Sequence, residues 1–567
     1  MASSGNFCTL NPVAQLGGST DENAREAGMS DGNLEYINIT GNTAVGTFGL
    51  TSGKWYYEVR VNSFNADNGM TIGFCNQGFN LDAELGYNSP SSPSGGQGFG
   101  WYADTNKLIY GPGDGGGTYN KAWGGGTKAT DGDIIGFFLD VDNLKFWAAK
   151  NNTVFNSGNP ANGTGHGFGT GGDPHNVAIL PGEALYPAIG NWSVADGTVT
   201  FNFGQDSTFG GAITAAGNTD ANGFGDFKYE PPAGFLAICS ANLPIADEIN
   251  PSEGKNPTEF HDTITYTGTG TARSVDGLNF KPDWVLIKNR DAADGWLNQN
   301  SVSGVGKTHE WNDDGPYEDE TDCITAFNSD GFALGTDHKV NANTEKYVAY
   351  CWKKSADAGF DIVEYSGTGA TNNVSHSLGA TPDCIMLHLK SGSDWDSTMY
   401  FNSPNMGATN GIFMTLANAK QNTAYVPAVS STTFRPDTSA NSDGRGYVAY
   451  LFKGIDGYSK FGEFEGNGNA QGPFIFTGFR PKFVFIKAID ASENWQIRDT
   501  ARQPYNSGTV NRFYWNTNAA EGTASTASPI DFLANGFKIR GSNSEVNSNT
   551  IIYGAWADVP FKYNSAL

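Results

Sequence analysis

The chain has 567 residues, too many for a single hydrophobic core, so several domains are expected. Glycine is abundant at 75 residues, charged residues make up only 16% and aromatics reach 13%, a mix that suits short strands and tight turns and excludes disorder. A formal net charge of −25, spread along the chain, repels phosphate backbones and argues against a nucleic-acid partner.

The start, Met1 to Pro12, has no basic region leading into an apolar run and does not read as a secretory signal. No apolar stretch is long enough to span a bilayer, so membrane insertion is not expected. Asp21 to Met29 is the only stretch with a helical pattern. Cys8, Cys75, Cys239, Cys323, Cys351 and Cys384 show no CxxC spacing and are expected as reduced thiols, most of them in cores.

From residue 30 to about 235 the chain reads as a series of strands. Gly53-Lys-Trp-Tyr-Tyr-Glu-Val-Arg-Val61 alternates like a half-buried strand. Ile72-Gly-Phe-Cys75, Gly98-Phe-Gly-Trp101, Asp131–Asp142 (DGDIIGFFLDVD), Leu144–Asn152 (LKFWAAKNN), Leu185–Gly190 (LYPAIG) and Val199–Gly204 follow. In this order the segments resemble the SPRY family. The resemblance implies a sandwich of two antiparallel sheets without catalytic residues, in which loops at one rim bind a peptide or protein. The DGD–DVDN stretch is then a hairpin turn, with a calcium site as the alternative. Three long polar loops, 89–98, 111–126 and 156–173, are either functional or spacers.

After a tail, Pro232-Ala-Gly-Phe-Leu-Ala-Ile-Cys-Ser-Ala-Asn-Leu-Pro244, and a linker at 236–257, one pattern is written three times with a period of about 99 residues. The first mark is an aromatic with a glycine pair: Tyr266/Gly268/Gly270, Tyr365/Gly367/Gly369 and Phe464/Gly466/Gly468. The pair lets the chain turn at positive φ. The second is a proline before an apolar run ending in lysine: Pro282–Lys288, Pro382–Lys390 and Pro481–Lys487. Such a run suits a strand buried on both faces, and the lysine is expected to return the chain to water. The third is a tryptophan, Trp296, Trp395 and Trp495, expected as a core plug. The last is a closing strand: Tyr347–Trp352, Tyr447–Phe452 and Ile551–Trp556. A repeat of this length is expected to close its own sandwich, and several in a row to form a rod.

Signatures of chemistry are missing. No HExxH, GxSxG, P-loop or dinucleotide fingerprint occurs among the residues. His388, inside an apolar run, is expected as a satisfied core histidine. The acidic stretch Asp313–Asp322 reads as a solvated loop, with a calcium site as its alternative. No catalytic residue, cofactor or metal ligand is therefore assigned, and no partner-binding residue.

The expected fold is all-β: a SPRY-like sandwich at 1–235, the linker, and β-sandwich repeats at 258–355, 356–456 and 457–567. The SPRY unit, the PxGFxxxCxxNLP tail and the repeats together resemble virion proteins of bacteriophages, especially of marine bacteria. That resemblance implies a non-enzymatic tail fibre or tail appendage component, made in the host cytoplasm and residing in the virion. It would contact other tail proteins and a host-surface glycan or protein, as a homo-oligomer, expected as a trimer. Alternatives are a capsid decoration or tail-sheathing protein and a glycan depolymerase.

Overall fold

The computed structural model describes residues 5–12, 14, 28–37, 42–64, 69–86, 97–105, 107–112, 119–123, 128–167, 184–191, 197–506, 510–524 and 529–563. The helical reading of Asp21–Met29, its last two residues excepted, lies outside these, as do 89–96, 113–118, 124–126 and 168–173 of the three long loops. The described chain is all-β, its only α-helices being two of four residues, His338–Asn341 and Ser544–Asn547. It divides into two compact units: residues 1–244 with 464–476 and 565–567, and residues 245–463 with 477–564. All six cysteines are buried and free.

The first unit is a two-sheet sandwich. One sheet orders the strands Met29–Ser30, Glu35–Ile37, Thr198–Asn202, Lys54–Ser63, Ile134–Asp140, Lys145–Lys150 and Thr153–Val154. The other orders Thr43–Val45, Leu185–Asn191, Met70–Asn76, Gln97–Tyr102, Lys107–Pro112 and Tyr119–Ala122. Aromatic rings fill the space between them, as the alternation of GKWYYEV predicts. Tyr57 stacks on Phe137 at 4.9 Å and meets Phe74 across the sandwich at 5.6 Å. The opposite face of the first sheet is covered by the tail, where Phe227, Phe235 and Cys239 pack on Tyr56, Phe138 and Trp147. Residues 236–244, read from the sequence as the start of a linker, therefore belong to this unit: Leu236–Ala237 pairs in parallel with Trp55–Tyr56. Two buried carboxylates meet the tail: Glu58 accepts from Tyr56 Oη, Asn202 Nδ2 and the backbone of Lys228 and Tyr229, and Asp220 accepts from Ala237 N and Asn242 Nδ2, so their buried lone pairs are used.

The second unit contains repeats 1 and 2 and, apart from 464–476 and the last residues, repeat 3, and each repeat builds the same antiparallel sheet. A first strand (His261–Thr267, Phe360–Ser366, Ser459–Glu465) borders the closing strand (Lys346–Trp352, Gly446–Phe452, Thr550–Pro560). Next comes the lead strand (Trp284–Asn289, Cys384–Ser391, Phe479–Ala488), then a second (Leu297–Asn300, Thr398–Phe401, Gln496–Asp499) and a third (Lys307–Glu310, Ile412–Phe413, Val510–Tyr514).

The lead and closing strands are buried on both faces, but the two faces meet different partners. Val285, Ile287, Ala349 and Cys351 join a core private to repeat 1; Ile385, Leu387, Ala449 and Leu451 do the same in repeat 2. The alternate residues of all three repeats enter one shared core. Three layers follow from the strand registers: Trp284/Trp352 with Cys384/Phe452 and Phe483/Trp556; then Leu286/Tyr350 with Met386/Tyr450 and Phe485/Gly554; then Lys288/Val348 with His388/Val448 and Lys487/Ile552. In the first layer Trp556 lies 5.6 Å from Trp352 and 5.4 Å from Phe452, and Trp284 lies 6.1 Å from Phe452. The repeats thus pack as a closed ring of three rather than end to end, and the rod expected from independent sandwiches does not form within this unit. An isolated sandwich would leave half of each lead strand in water.

The middle layer keys the ring. Tyr350 Oη donates to Asp499 Oδ2 of repeat 3 at 2.8 Å, and Tyr450 Oη donates to Asn298 Oδ1 of repeat 1 at 3.0 Å. The third position is Gly554, and the repeat it faces carries Met399 and Phe401 where the others have Asn298/Asn300 and Ile497/Asp499. A Cβ on Gly554 would overlap the Phe485 ring. Tyrosine meets polar partners twice, and glycine with apolar filling stands in the third place.

The glycine pairs split their work. The second of each pair, Gly270, Gly369 and Gly468, has φ of 69°, 64° and 67°. The first does not; there a Cβ would run into the carbonyl oxygen of Ala342 behind Gly268, or of Ser442 behind Gly367. Gly367→Ala is therefore expected to cost about 3 kcal/mol by forcing backbone apart, and Gly369→Ala about 1–2 kcal/mol for its left-handed conformation. Urea midpoints of the two variants check the order; equal and negligible shifts would contradict it.

Candidate functional site

Most residues singled out in the sequence are placed inside the structure. Trp296 and Trp495 are fully buried and equivalent. Each reaches into the neighbouring repeat, Trp296 Nε1 donating to the carbonyls of Tyr514 and Thr517 at 3.1 Å and Trp495 Nε1 to that of Phe413 at 2.9 Å. Trp395 is not their counterpart. The backbone N–H groups of Trp311, Trp515 and Met414 pair with the carbonyls of Trp296, Trp495 and Ser397, so Ser397 holds the third position. Trp395 instead packs on Tyr447 and Tyr425, in the private core of repeat 2.

The lysine mark is corrected in the same way. Lys288 and Lys487 do not return to water; both are fully buried, their ammonium groups donating to backbone carbonyls of Asn289 and Ala292, and of Ala417, Ala488 and Ala491. Burial lowers both to about 8. Their register partner in repeat 2 is His388, not Lys390, which is paired with Glu364. His388 Nδ1 lies 2.7 Å from Ser397 Oγ, and its Nε2 has no partner. The core-histidine reading holds for one ring nitrogen of the two.

The acidic stretch 313–322 is anchored rather than wholly solvated. Tyr317 turns inward, its hydroxyl 2.9 Å from that of Tyr450 and accepting from Asn298 and Asn300. Asp322, Cys323 and Asp337 offer ligand atoms within 4.8 Å of one another. The thiol of that trio donates to Glu320, and burial pushes its pKa far above the ordinary range, while Asp337 Oδ1 caps Lys339 N. A thiol held protonated is a poor ligand, and no metal is assigned. DGD and DVDN lie at opposite ends of the strand Ile134–Asp140, and only DVDN forms the hairpin turn. Asp133 pairs with Lys150 at one end, while at the other Asp140 accepts from Asn143 Nδ2 and Asp142 from Gly53 N, so each of these carboxylates has a partner within the protein.

What the second unit presents outward is a set of equivalent segments between the second and third strands: 301–306, 402–411 and, of the described residues in repeat 3, 500–506. All three begin directly after the first aromatic layer, since Asn300, Phe401 and Asp499 pair with Trp284, Cys384 and Phe483. Of the large apolar side chains exposed among the described residues, Val302, Val305 and Tyr505 lie on two of these loops, and Tyr505 is 81% exposed. The loop bases are tied to the ring. Asn300 Oδ1 accepts from Val302 N and Ser303 N while its Nδ2 donates to Tyr450 Oη; Asp499 Oδ1 accepts from Arg502 N while its Oδ2 receives Tyr350. This is an arrangement for contact: apolar tips on loops whose bases are held by the core. Sequence reading missed it, because exposure of three ordinary loop residues has no local pattern.

Residues 256–560 match a family model described as "Domain of unknown function (DUF7483)". One model spans all three repeats, in keeping with their shared core. Among curated proteins none matches the chain. Among solved structures, the SPRY domain of human HERC1 is similar at 16% identity over 34% of this chain and 96% of that one, with a TM-score of 0.21. A human SPRY domain is similar at 20% identity over 29% and 93%, with a TM-score of 0.19, and the TRIM65 PSpry domain at 14% over 34% and 91%, with a TM-score of 0.22. With scores this low, these likenesses add nothing to the sheet topology already described.

Proposed function

We propose, for a chain that belongs to the family of the DUF7483 domain of unknown function, that it is a non-enzymatic binding component of a bacteriophage virion. In this reading it is a tail appendage that attaches the particle to a host-surface glycan or protein, or docks one tail protein to another. The observation that carries the reading is the loop-bearing end of the second unit, where Val302, Val305 and Tyr505 stand exposed on a rigid ring. The resemblance of the sequence motifs to phage virion proteins supplies the setting, and the SPRY-like motifs of the first unit imply a second contact surface. Copies of the chain act together as a homo-oligomer, taken as a trimer, because several weak contacts on one body multiply into avidity.

Mass spectrometry and density maps of purified particles test the setting, with the chain expected at the tail in a small number of copies. Its absence from particles would end the reading; hundreds of copies over the capsid would replace it with decoration. Val305→Asp and Tyr505→Ala test the surface. Both side chains are exposed, so stability should stay within about 0.5 kcal/mol of the parent, while adsorption or assembly falls. Unchanged adsorption and assembly would move the contact elsewhere.

A further inference from the structure

The three seams of the ring are built on one plan, and one of them differs in kind. Between repeats 1 and 3, Lys288 of the lead strand faces Phe513 of the third strand, its ammonium 5.5 Å from the ring. The counterparts by register at the seam of repeats 3 and 2 are Lys487 and Ile412. At the seam of repeats 2 and 1 they are His388 and His309, with ring centroids 5.0 Å apart in an edge-to-face arrangement. The change is concerted: where the other two repeats place a tryptophan, Trp296 and Trp495, repeat 2 has Ser397, which bonds His388.

Both imidazoles are buried and half-satisfied. His309 Nε2 lies 2.9 Å from the Gly315 carbonyl oxygen, which only accepts, so Nε2 carries the proton and Nδ1 has no partner. His388 Nε2 has none either, and its ring lies against Trp311 at 3.9 Å. The titratable and charged groups around the pair are few. Tyr317 stacks on His309 at 5.3 Å from the loop behind it, Tyr450 of the closing strand lies 5.9 Å from His388, and Asp313 is the one carboxylate acting on His309. Lys390, further along the strand of His388, is turned to Glu364, and Glu310, beside His309, to Lys339.

From this geometry we propose that the seam between repeats 1 and 2 is an acid-sensitive latch, which closes on two neutral imidazoles and loosens when either is protonated. A proton on one ring puts a charge in a buried seam whose polar side chains are neutral, 5.0 Å from a second ring of the same kind. The other seams lack the pair: that between repeats 1 and 3 has a single imidazole, His261, 5.8 Å from Phe483 and bonded through Nδ1 to the Cys351 carbonyl of its own repeat, and is bridged by the ion pairs Arg290–Glu521–Arg502–Asp499. The direction follows from linkage. Burial lowers His309 to about 4 and His388 well below its ordinary value. The closed form therefore binds fewer protons than the open one, and its advantage, complete above about pH 6.5, is lost as pH falls toward the lowered values. For His309 alone, the ratio of open to closed rises about twentyfold between neutral pH and pH 5.

The test is hydroxyl-radical footprinting of the full chain near pH 7.5 and near pH 5, read by mass spectrometry at Trp311 and Tyr317, with Trp296 reporting on the seam of repeats 1 and 3. Oxidation of Trp311 and Tyr317 is expected to rise tenfold or more in acid while Trp296 stays protected. His309→Gln with His388→Asn keeps the bonds to Gly315 and Ser397 without a titrating ring, and should abolish the rise. A flat response at Trp311, an equal rise at Trp296, or a rise that survives the double substitution overturns the latch. Should the double variant lack the native spectrum at neutral pH, the contrast between Trp311 and Trp296 in the parent chain decides alone.

Discussion

Residues 258–355 expressed alone are expected not to fold, although they contain one complete copy of the repeat. Excision would turn Trp284, Trp296, Trp311, Tyr350 and Trp352 of the shared core toward water. At roughly 2–3 kcal/mol for each large side chain exposed, the loss is on the order of 10 kcal/mol. A whole domain of that size has about 5–15 kcal/mol of stability in total. The same argument predicts one cooperative transition for the three repeats together within the full chain. Circular dichroism of the fragment and calorimetry of the full chain check both statements. A fragment with a sharp melting transition, or three separate transitions for the repeats, would show that the shared core contributes little.

Asp499→Ala is expected to be the most damaging single substitution at a seam, at about 3–5 kcal/mol, because it strips a partner from a guanidinium that stays buried. Asp499 accepts from Arg502 Nε at 2.6 Å and from Tyr350 Oη at 2.8 Å, and both charged side chains are almost fully enclosed. Of its carboxylate partners Arg502 keeps Glu521, at 2.7 Å, which already serves Arg290 of repeat 1, and beyond that a 3.4 Å contact to the Ile497 carbonyl. Tyr350→Phe removes a hydroxyl from the same network and leaves the ion pair intact, so it should cost only about 1 kcal/mol. Urea denaturation of the two variants reads the difference directly. Near-equal effects would mean that the network is held by its hydroxyl and not by its charges.

Reading the repeats from the sequence succeeded where each mark answers to a local cause. A proline precedes the lead strands of repeats 1 and 2 and sits at a bulge near the start of the third, Gly270, Gly369 and Gly468 turn at positive φ, and the lead and closing strands carry apolar runs because both faces are buried. The sandwich of the first unit was equally legible, since the alternation in Lys54–Ser63 separates Tyr57, facing the second sheet, from Tyr56 and Glu58, facing the tail. None of this says what covers the second face of a strand. Whether Trp284 and Tyr350 lie under a loop of their own repeat or against repeats 2 and 3 depends on residues more than a hundred positions away, and periodicity within a strand is blind to that. Spacing misled in repeat 2 for the same reason: Lys390 and Trp395 look like the marks, while register assigns those places to His388 and Ser397. Lysine before a turn reads as a solvent-facing end, yet Lys288 and Lys487 are buried, because the neighbouring repeat closes over the strand and backbone carbonyls satisfy the ammonium groups. The sequence by itself determined the strands, the turns and the number of repeats, all products of near-neighbour sterics and burial periodicity. Tertiary structure alone decided that three sheets share one core, which faces they share, and where two histidines meet, because those contacts join residues that no local pattern relates.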